Sequence, residues 1–432
     1  MKKLVFRFQG PLAALTAEQL SELIERGITD DDIVRTQVAA TIDLVREQGD
    51  AALVALTREL DNVTLKKLRV PQKACDSALA KLDPALRAAM ERMIVNLRRV
   101  HAESLPRAWE VETEPGITVG RRPDPLARVG IYAPGGRAAY PSSLLMAAIP
   151  ASVAGVSELV VCSPPGPDGR PADVVLAAAA LAEVDEVYAV GGAQAIAAMA
   201  YGTDEIRAVN RVVGPGNTWV AEAKLQVAGR VGIDAPAGPS ELLVILDESA
   251  AVERVAAELL AQAEHDPRAC AVALCLGDTA EAVIDACARL LAGSGREPIV
   301  GEALATRGAV LSVDSLAEAI VFANEYAAEH VLLAVRIPET TLEQLRNAGS
   351  VMLGAGASVV FSDYLTGANH VLPTGGAARS FSGLSTTDFI RWTSYQRVTS
   401  DAAVRLKADA VLLATAEGLE QHALAAMRAA EE

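Results

Sequence analysis

Residues 128–163 read RVGIYAPGGRAAYPSSLLMAAIPASVAGVSELVVCS. An apolar run of strand length passes through a glycine turn into a helix-length stretch rich in alanine and leucine, and a second apolar run, ELVVCS (158–163), follows. Apolar runs separated by helices of this length make βαβ units, whose parallel strands are buried on both faces. The alternation continues with a helix over 172–183, a strand at EVYAV (186–190), a helix over 193–201, a strand at RVVG (211–214) and a helix over 217–227. Residues 126–236 are therefore predicted to form one doubly wound α/β domain.

Downstream the pattern resumes with LLVILD (242–247), a helix over 249–265, CAVALCL (270–276), a helix over 278–291, and strands near 309 and 331. This predicts a second α/β domain over 237–380, completed by residues 1–125. In that N-terminal region, apolar residues recur at three- and four-residue spacing over 16–60 and 76–103, as in amphipathic surface helices. A polar bridge, TEPGITVGRRPDPLARVG (113–130), joins the parts. After Gly383 the chain reads as helical, with a last helix over about 408–430, so 381–432 is expected to be a helical arm. The predicted class is α/β: two doubly wound parallel-sheet domains of Rossmann-like type, without G-x-G-x-x-G, plus a small helical N-terminal segment and the C-terminal arm.

Composition narrows the function. The 432 residues carry 55 acidic and 39 basic side chains, a formal charge of −16, which repels nucleic acid and anionic membranes. The opening MKKLVFRFQG is interrupted by Arg7, Gln9 and Pro11 before it reaches signal-peptide length. Apolar runs such as SLLMAAIPASVAGV are broken by Pro150, short of the roughly 20 residues of a membrane span. A cytoplasmic location is expected. The five cysteines form no C-x-x-C pair and mostly sit in apolar stretches, as reduced core residues do.

Three glycine turns deliver strands into helices: YAPGGRAAYPSS (132–143), VGGAQAIAA (190–198) and VVGPGNTWVAEAK (212–224). Any one of them is an ordinary βα turn. Three on the carboxyl side of one sheet favour a nucleotide crevice, because glycine lets backbone N–H groups approach a ligand and helix N-termini attract phosphate. Gln262 and His265 lie three apart on the helix VERVAAELLAQAEH, so both side chains leave one face. An isolated pair of this kind is more often a solvated helix end, here before Asp266 and Pro267. With Asp363, placed after the strand-like SVVF, and His422 on the final helix, the pair makes a mixed nitrogen and oxygen set suited to zinc. Glu329 and His330 stand at a helix-to-strand boundary, where adjacent carboxylate and imidazole suit general acid–base work. A second AEH triplet at 263–265 shows how easily that string arises in an alanine-rich and glutamate-rich chain.

Taken together, the strings GIYAPGGRAAYPSSLLMAAIPASVAGV, GPGNTWVAEAK, IDAPAGPSELLV, LAQAEHD, NEYAAEH, SDYLTGANHVLPTGG and AEGLEQH resemble the histidinol dehydrogenase family, in order and over about residues 30–430. The resemblance implies one zinc per subunit held by Gln262, His265, Asp363 and His422, and a catalytic pair in Glu329 and His330. It implies NAD contacts at Tyr132, Gln194 and Asn217. Substrate contacts are implied at Ser240, Glu417, His330 and the metal ligands. The implied reaction is a four-electron oxidation of an amino alcohol, L-histidinol, through the aldehyde to L-histidine, within an intertwined homodimer with shared sites.

His101 is expected on a helix surface, and His370 as a structural histidine bonded within its loop. Glu417 and His422, five apart on one helix, would diverge by roughly 140 degrees and not act as paired ligands. Ala328, Ser362, Ala368, Trp219 and Ala147 depart from the family's common residues, and none removes a proposed ligand or catalytic group. The departures leave room for a paralogue acting on another polar alcohol. A zinc hydrolase would need no glycine-rich βα turns, and a non-catalytic scaffold no acid–base pair beside a metal set.

Overall fold

The computed structural model describes residues 4–26, 32–135, 139–235, 238–354 and 356–429. Residues 136–138 of the first glycine turn and 236–237 of IDAPAGPSELLV lie outside them. Among the described residues there are two six-stranded sheets and one of three strands. No described helix is long and apolar enough to cross a membrane.

The first sheet has the spatial order Arg69–Val70, Glu186–Tyr188, Glu158–Cys162, Arg128–Tyr132, Arg211–Val213, Gly232–Ile233. All its neighbours run parallel except Arg69–Val70, which lies antiparallel to Glu186–Tyr188. The chain winds outward from Arg128–Tyr132 in one direction, then returns to that strand's other side with Arg211–Val213. This reversal makes a topological switch point, and the crevice beside it lies at the strands' carboxyl ends. The helix Pro141–Ala154 starts with proline in its first turn and ends at Gly155, whose φ of 92° takes the left-handed conformation a C-terminal stop needs. Ten of its residues are buried, Pro150 among them.

The second sheet is parallel throughout, in the order Phe8–Pro11, Ala309–Val313, Cys270–Leu276, Glu241–Leu246, His330–Ala334, Ser350–Leu353. Along Glu241–Leu246, Leu242, Val244 and Leu246 enter one core while Leu243 and Ile245 enter the core on the opposite face. Burial on both faces is why this strand reads as an unbroken apolar run.

The cores divide the N-terminal region differently from the expected grouping of 1–125 with 237–380. Phe6, Phe8 and Leu23 pack on the second sheet. The helices Asp32–Gln48, Asp50–Asp61, Gln72–Lys81 and Pro84–Glu103 bury Val38, Leu53, Cys75 and Leu97 in the first sheet's core. The stripe on Pro84–Glu103 runs Met90, Met93, Ile94, Leu97 and His101. His101 is therefore buried, not on the surface as expected, because it continues the four-residue spacing of Met93 and Leu97. Its ring lies 3.5 Å from Asn369 Nδ2, and burial lowers its pKa. All five cysteines are buried and free, as the composition implied.

The arm is not wholly helical. Ile390–Val398 is a nine-residue strand pairing antiparallel with Ile117–Pro125, which pairs in turn with Trp109–Glu114. The polar bridge thus contains a strand too. The helices Ser400–Ala416 and Glu420–Arg428 follow, and they bury only Ala402 and Ala423.

Candidate active site

A cleft of about 550 Å³ is lined from one side by carboxyl-end residues of the first sheet, including Tyr132 and Asn217, and from the other by Ser240, Glu329 and His330 at the amino ends of second-sheet strands. Asp363, His370 and His265 also border it.

The helix Leu316–Tyr326 stops at Ala327, whose φ is 52°, and the chain reaches Glu329 one residue before the strand His330–Ala334 begins. Glu329 Oε2 accepts hydrogen bonds of 2.7 Å from Ser240 Oγ and 2.7 Å from the Glu241 amide. Glu329 Oε1 has no hydrogen-bond partner among the described residues, which leaves one carboxylate oxygen for a ligand. His330 Nδ1 lies 3.2 Å from the Glu241 carbonyl, and Nε2 lies 3.5 Å from Asp363 Oδ1. Burial opposes protonation of His330, but the Glu329 and Asp363 carboxylates outweigh it and push the ring up to about 10. The adjacent pair predicted from sequence is thus buried, with His330 Nδ1 3.5 Å from Glu329 Oε2 and both side chains anchored on Glu241 backbone atoms.

Asp363 does not follow a strand, as SVVF suggested, but lies in the helix Val359–Tyr364. Burial opposes its ionisation, yet His330 with His370 and His265 nearby holds its carboxyl below the usual range. The helix Val252–Ala263 meets this short helix where Glu258 Oε2 accepts the Val359 amide at 3.0 Å. Gln262 and Asp363 each lie one turn further along. Both polar atoms of the Gln262 amide and Asp363 Oδ1 are buried without a hydrogen-bond partner, although buried polar groups are almost always paired. The two orphaned oxygens, Gln262 Oε1 and Asp363 Oδ1, are the kind that fit a cation. Among the described residues no three His, Cys, Asp or Glu side chains are grouped closely enough to hold one alone. His265 follows the helix rather than ending it, its amide returning to the Gln262 carbonyl at 3.3 Å. His370 does not bond within its own loop as expected: Nδ1 lies 2.9 Å from the carbonyl of Asp363 in the helix Val359–Tyr364, and Nε2 lies 3.3 Å from Ser143 Oγ in the helix Pro141–Ala154.

On the other wall, Asn217 caps the helix Thr218–Val227 by accepting from the Val220 amide at 3.1 Å. The Tyr132 hydroxyl oxygen accepts from the Gly192 amide at 3.1 Å, and burial pushes that hydroxyl up to about 12. Gln194 is 1% exposed and is not among the residues lining the cleft; its side chain crowds Gly192. Gly214, at a φ of 116°, is held at both ends of its peptide: its amide donates to Asp234 Oδ2 at 2.8 Å and its carbonyl accepts from Lys224 Nζ at 3.0 Å. Lys224 and Asp234 form a buried ion pair.

Glu417 and His422 are not brought to this cleft. Nor do they share a helix: Gly418, at a φ of 74°, separates Ser400–Ala416 from Glu420–Arg428, so the 140-degree estimate does not apply. Sequence reasoning also missed Arg26, Glu241, Lys224 and Asp234. Glu241 leads an otherwise apolar strand, a placement that flags a buried charge, whereas Arg26 lies 215 positions from its partner and gives no local signal.

The sequence profile described as histidinol dehydrogenase matches residues 24–429. The chain is 45% identical over 406 residues to histidinol dehydrogenase of Methanothermobacter thermautotrophicus, covering 94% of this chain and 95% of that one. It is 47% identical over 416 residues to that of Natronomonas pharaonis, covering 95% and 97%. The crystal structure of histidinol dehydrogenase from Elizabethkingia anophelis superposes with a TM-score of 0.92 at 32% identity, covering 99% of this chain and 98% of that one.

Proposed function

This chain belongs to the histidinol dehydrogenase family, and from that premise we propose that it oxidises L-histidinol through L-histidinaldehyde to L-histidine, with NAD as hydride acceptor and one zinc per subunit. The observation that carries the reading is the dyad: a buried Glu329–His330 pair opens onto the same cleft as Asp363 and His265. Gln262, His265, Asp363 and His422 would hold the zinc, which supplies a template for the substrate's imidazole and amine. The first domain, with the switch-point crevice beside Tyr132 and Asn217, is the proposed NAD side, and the 237–380 region the proposed catalytic side.

His330 keeps its proton at Nδ1 against the Glu241 carbonyl, which points Nε2 at the cleft as the proton acceptor for the alcohol. Of the two carboxylates that raise its basicity, Asp363 is also a proposed ligand, and a cation held there would lower the ring's basicity. Glu329 is held through Oε2 and presents Oε1, which polarises water for addition to the aldehyde. The hydrate then gives up the second hydride.

Glu417 and His422 lie off the cleft of their own chain, and Leu412 and Leu413 on the arm are each 68% exposed. Both features support a homodimer in which each arm completes the other subunit's site. The test is NADH formation from L-histidinol, with and without a chelator. Turnover abolished by chelation and restored by zinc is expected. Absence of NADH formation by the zinc-loaded protein would overturn the reading.

A further inference from the structure

We propose that Arg26, acting through Glu241, is a positioning residue that holds Glu329 in the orientation it needs to activate water. The proposal rests on the reading of Glu329 as the base for aldehyde hydration.

Arg26 ends the described N-terminal segment and Glu241 opens a central strand of the second sheet. Their ion pair is 2.8 Å long, and each side chain is 2% exposed. The guanidinium carbon lies 3.3 Å from the centroid of the buried Tyr326 ring, which fixes the plane of the fork. Glu241 then spends its carboxylate on backbone groups: Oε1 accepts the Gly375 amide at 2.7 Å and Oε2 accepts the Glu329 amide at 3.3 Å. In return, the Glu241 amide donates to Glu329 Oε2. The two glutamates therefore cross-latch neighbouring strand starts, each amide on the other's carboxylate.

Two buried carboxylates this close repel. Burial pushes the Glu241 carboxyl up and Glu329 adds to that push, while Arg26 opposes both. Arg26 is the cation hydrogen-bonded to Glu241 Oε2, and that bond holds the Glu241 carboxylate where it receives the Glu329 amide and where the Ser240–Glu241 donors meet Glu329 Oε2. Without it, the latch loses its charge-assisted bonds and Oε1 is no longer aimed. Arg26 also borders the cleft, which offers a rival role as a substrate contact. The rival predicts a different kinetic signature.

The experiment compares Arg26→Met, Arg26→Lys and Glu329→Gln in the zinc-loaded enzyme, each assayed from L-histidinol and from L-histidinaldehyde. Arg26→Met should lose about 10- to 100-fold in kcat on the aldehyde, the range for groups that orient a reacting side chain. It should lose much less in the alcohol half-reaction, followed as the first turnover, with zinc content and KM for NAD unchanged. Arg26→Lys, which keeps the charge, should recover most of the aldehyde rate. Equal losses in both halves, or a raised KM for L-histidinol without aldehyde selectivity, would overturn the proposal. If Glu329→Gln itself shows no aldehyde selectivity, the reading of the base fails. If Glu329→Gln is selective and Arg26→Met is not, only the positioning role fails. Should Arg26→Met not fold, the double variant Arg26→Met/Glu241→Gln carries the same test, since it leaves neither buried charge without its partner.

Discussion

Replacing Lys224 with Met tests whether a buried ion pair builds the proposed cofactor crevice. Lys224 and Asp234 are each 3% exposed at the side chain, and between them they bind both ends of the Gly214 peptide. Removing one partner of a buried pair costs about 3–5 kcal/mol, because the survivor is left charged and dry. The lost bond to the Gly214 carbonyl adds about 1 kcal/mol. At 2–4 °C per kcal/mol for a unit of this size, the melting transition should fall by roughly 10–20 °C. The KM for NAD should rise as well, because the turn between Arg211–Val213 and the cap Asn217 loses its anchor. The variant Lys224→Met/Asp234→Leu separates the two effects. Replacing both charges by apolar side chains is often neutral for the pair itself, so the melting temperature should recover in part, short of the parent by the two lost Gly214 bonds, while the KM should stay high. Calorimetry and NAD titration of the single and double variants read this out. A single variant that melts within a degree of the parent, or a double variant with parental KM for NAD, refutes the reasoning.

Gly214→Ala should weaken NAD binding by calorimetry far more than Gly229→Ala, since a Cβ at Gly214 would overlap the Tyr132 carbonyl oxygen while one at Gly229 meets nothing within 4 Å; both carry the backbone strain of positive φ, about 1–2 kcal/mol. Mixing subunits that carry His422→Ala with subunits that carry His330→Asn should restore about a quarter of parental activity if arms complete partner sites, because half the dimers are mixed and each has one intact site; no recovery would place His422 on its own chain's site. His101 is buried with a lowered pKa, so the unfolded chain binds a proton more readily than the native one. Its neutral form stabilises the fold fully above about pH 6.5, and that contribution is lost as pH falls through the lower native value. Urea unfolding of His101→Gln should show a flatter decline below about pH 6.5 than the parent.

Both parallel sheets were legible because their strands are buried on two faces, so LLVILD and CAVALCL stand out as unbroken apolar runs between helices. Ile390–Val398 and Ile117–Pro125 were not, because they sit on a small sheet whose polar positions dilute the run, as in IRWTSYQRV. SVVF failed for a different reason: a short apolar run carries too few residues to separate a strand from a buried helical turn. At the site, adjacency made Glu329 and His330 visible, and helical spacing made Gln262 and His265 visible. The approach of His330 to Asp363 and of Arg26 to Glu241 is set by the packing of segments distant in sequence, for which no local pattern exists. Gly418 did carry a signal, since glycine after a helix commonly ends it, and reading it would have parted Glu417 from His422.

The two sheets meet the cleft with opposite ends, and the chemistry divides accordingly. At the first sheet's carboxyl ends, the turns lead into helix N-termini such as that capped by Asn217, whose unpaired N–H groups suit an anionic cofactor. At the second sheet's amino ends, the first N–H of a parallel strand also lacks a ladder partner on one side, and here those donors take carboxylates: Glu241 N on Glu329, Glu329 N on Glu241, and nearby Gly375 N on Glu241. Backbone donors thus make it affordable to bury Glu241 and Glu329 beside Asp363. That concentration of negative charge is met by Arg26 on one glutamate and His330 between Glu329 and Asp363. The same folding rule that aims strand-start N–H groups at carboxylates therefore accounts for Glu241, Glu329 and His330 sharing one wall.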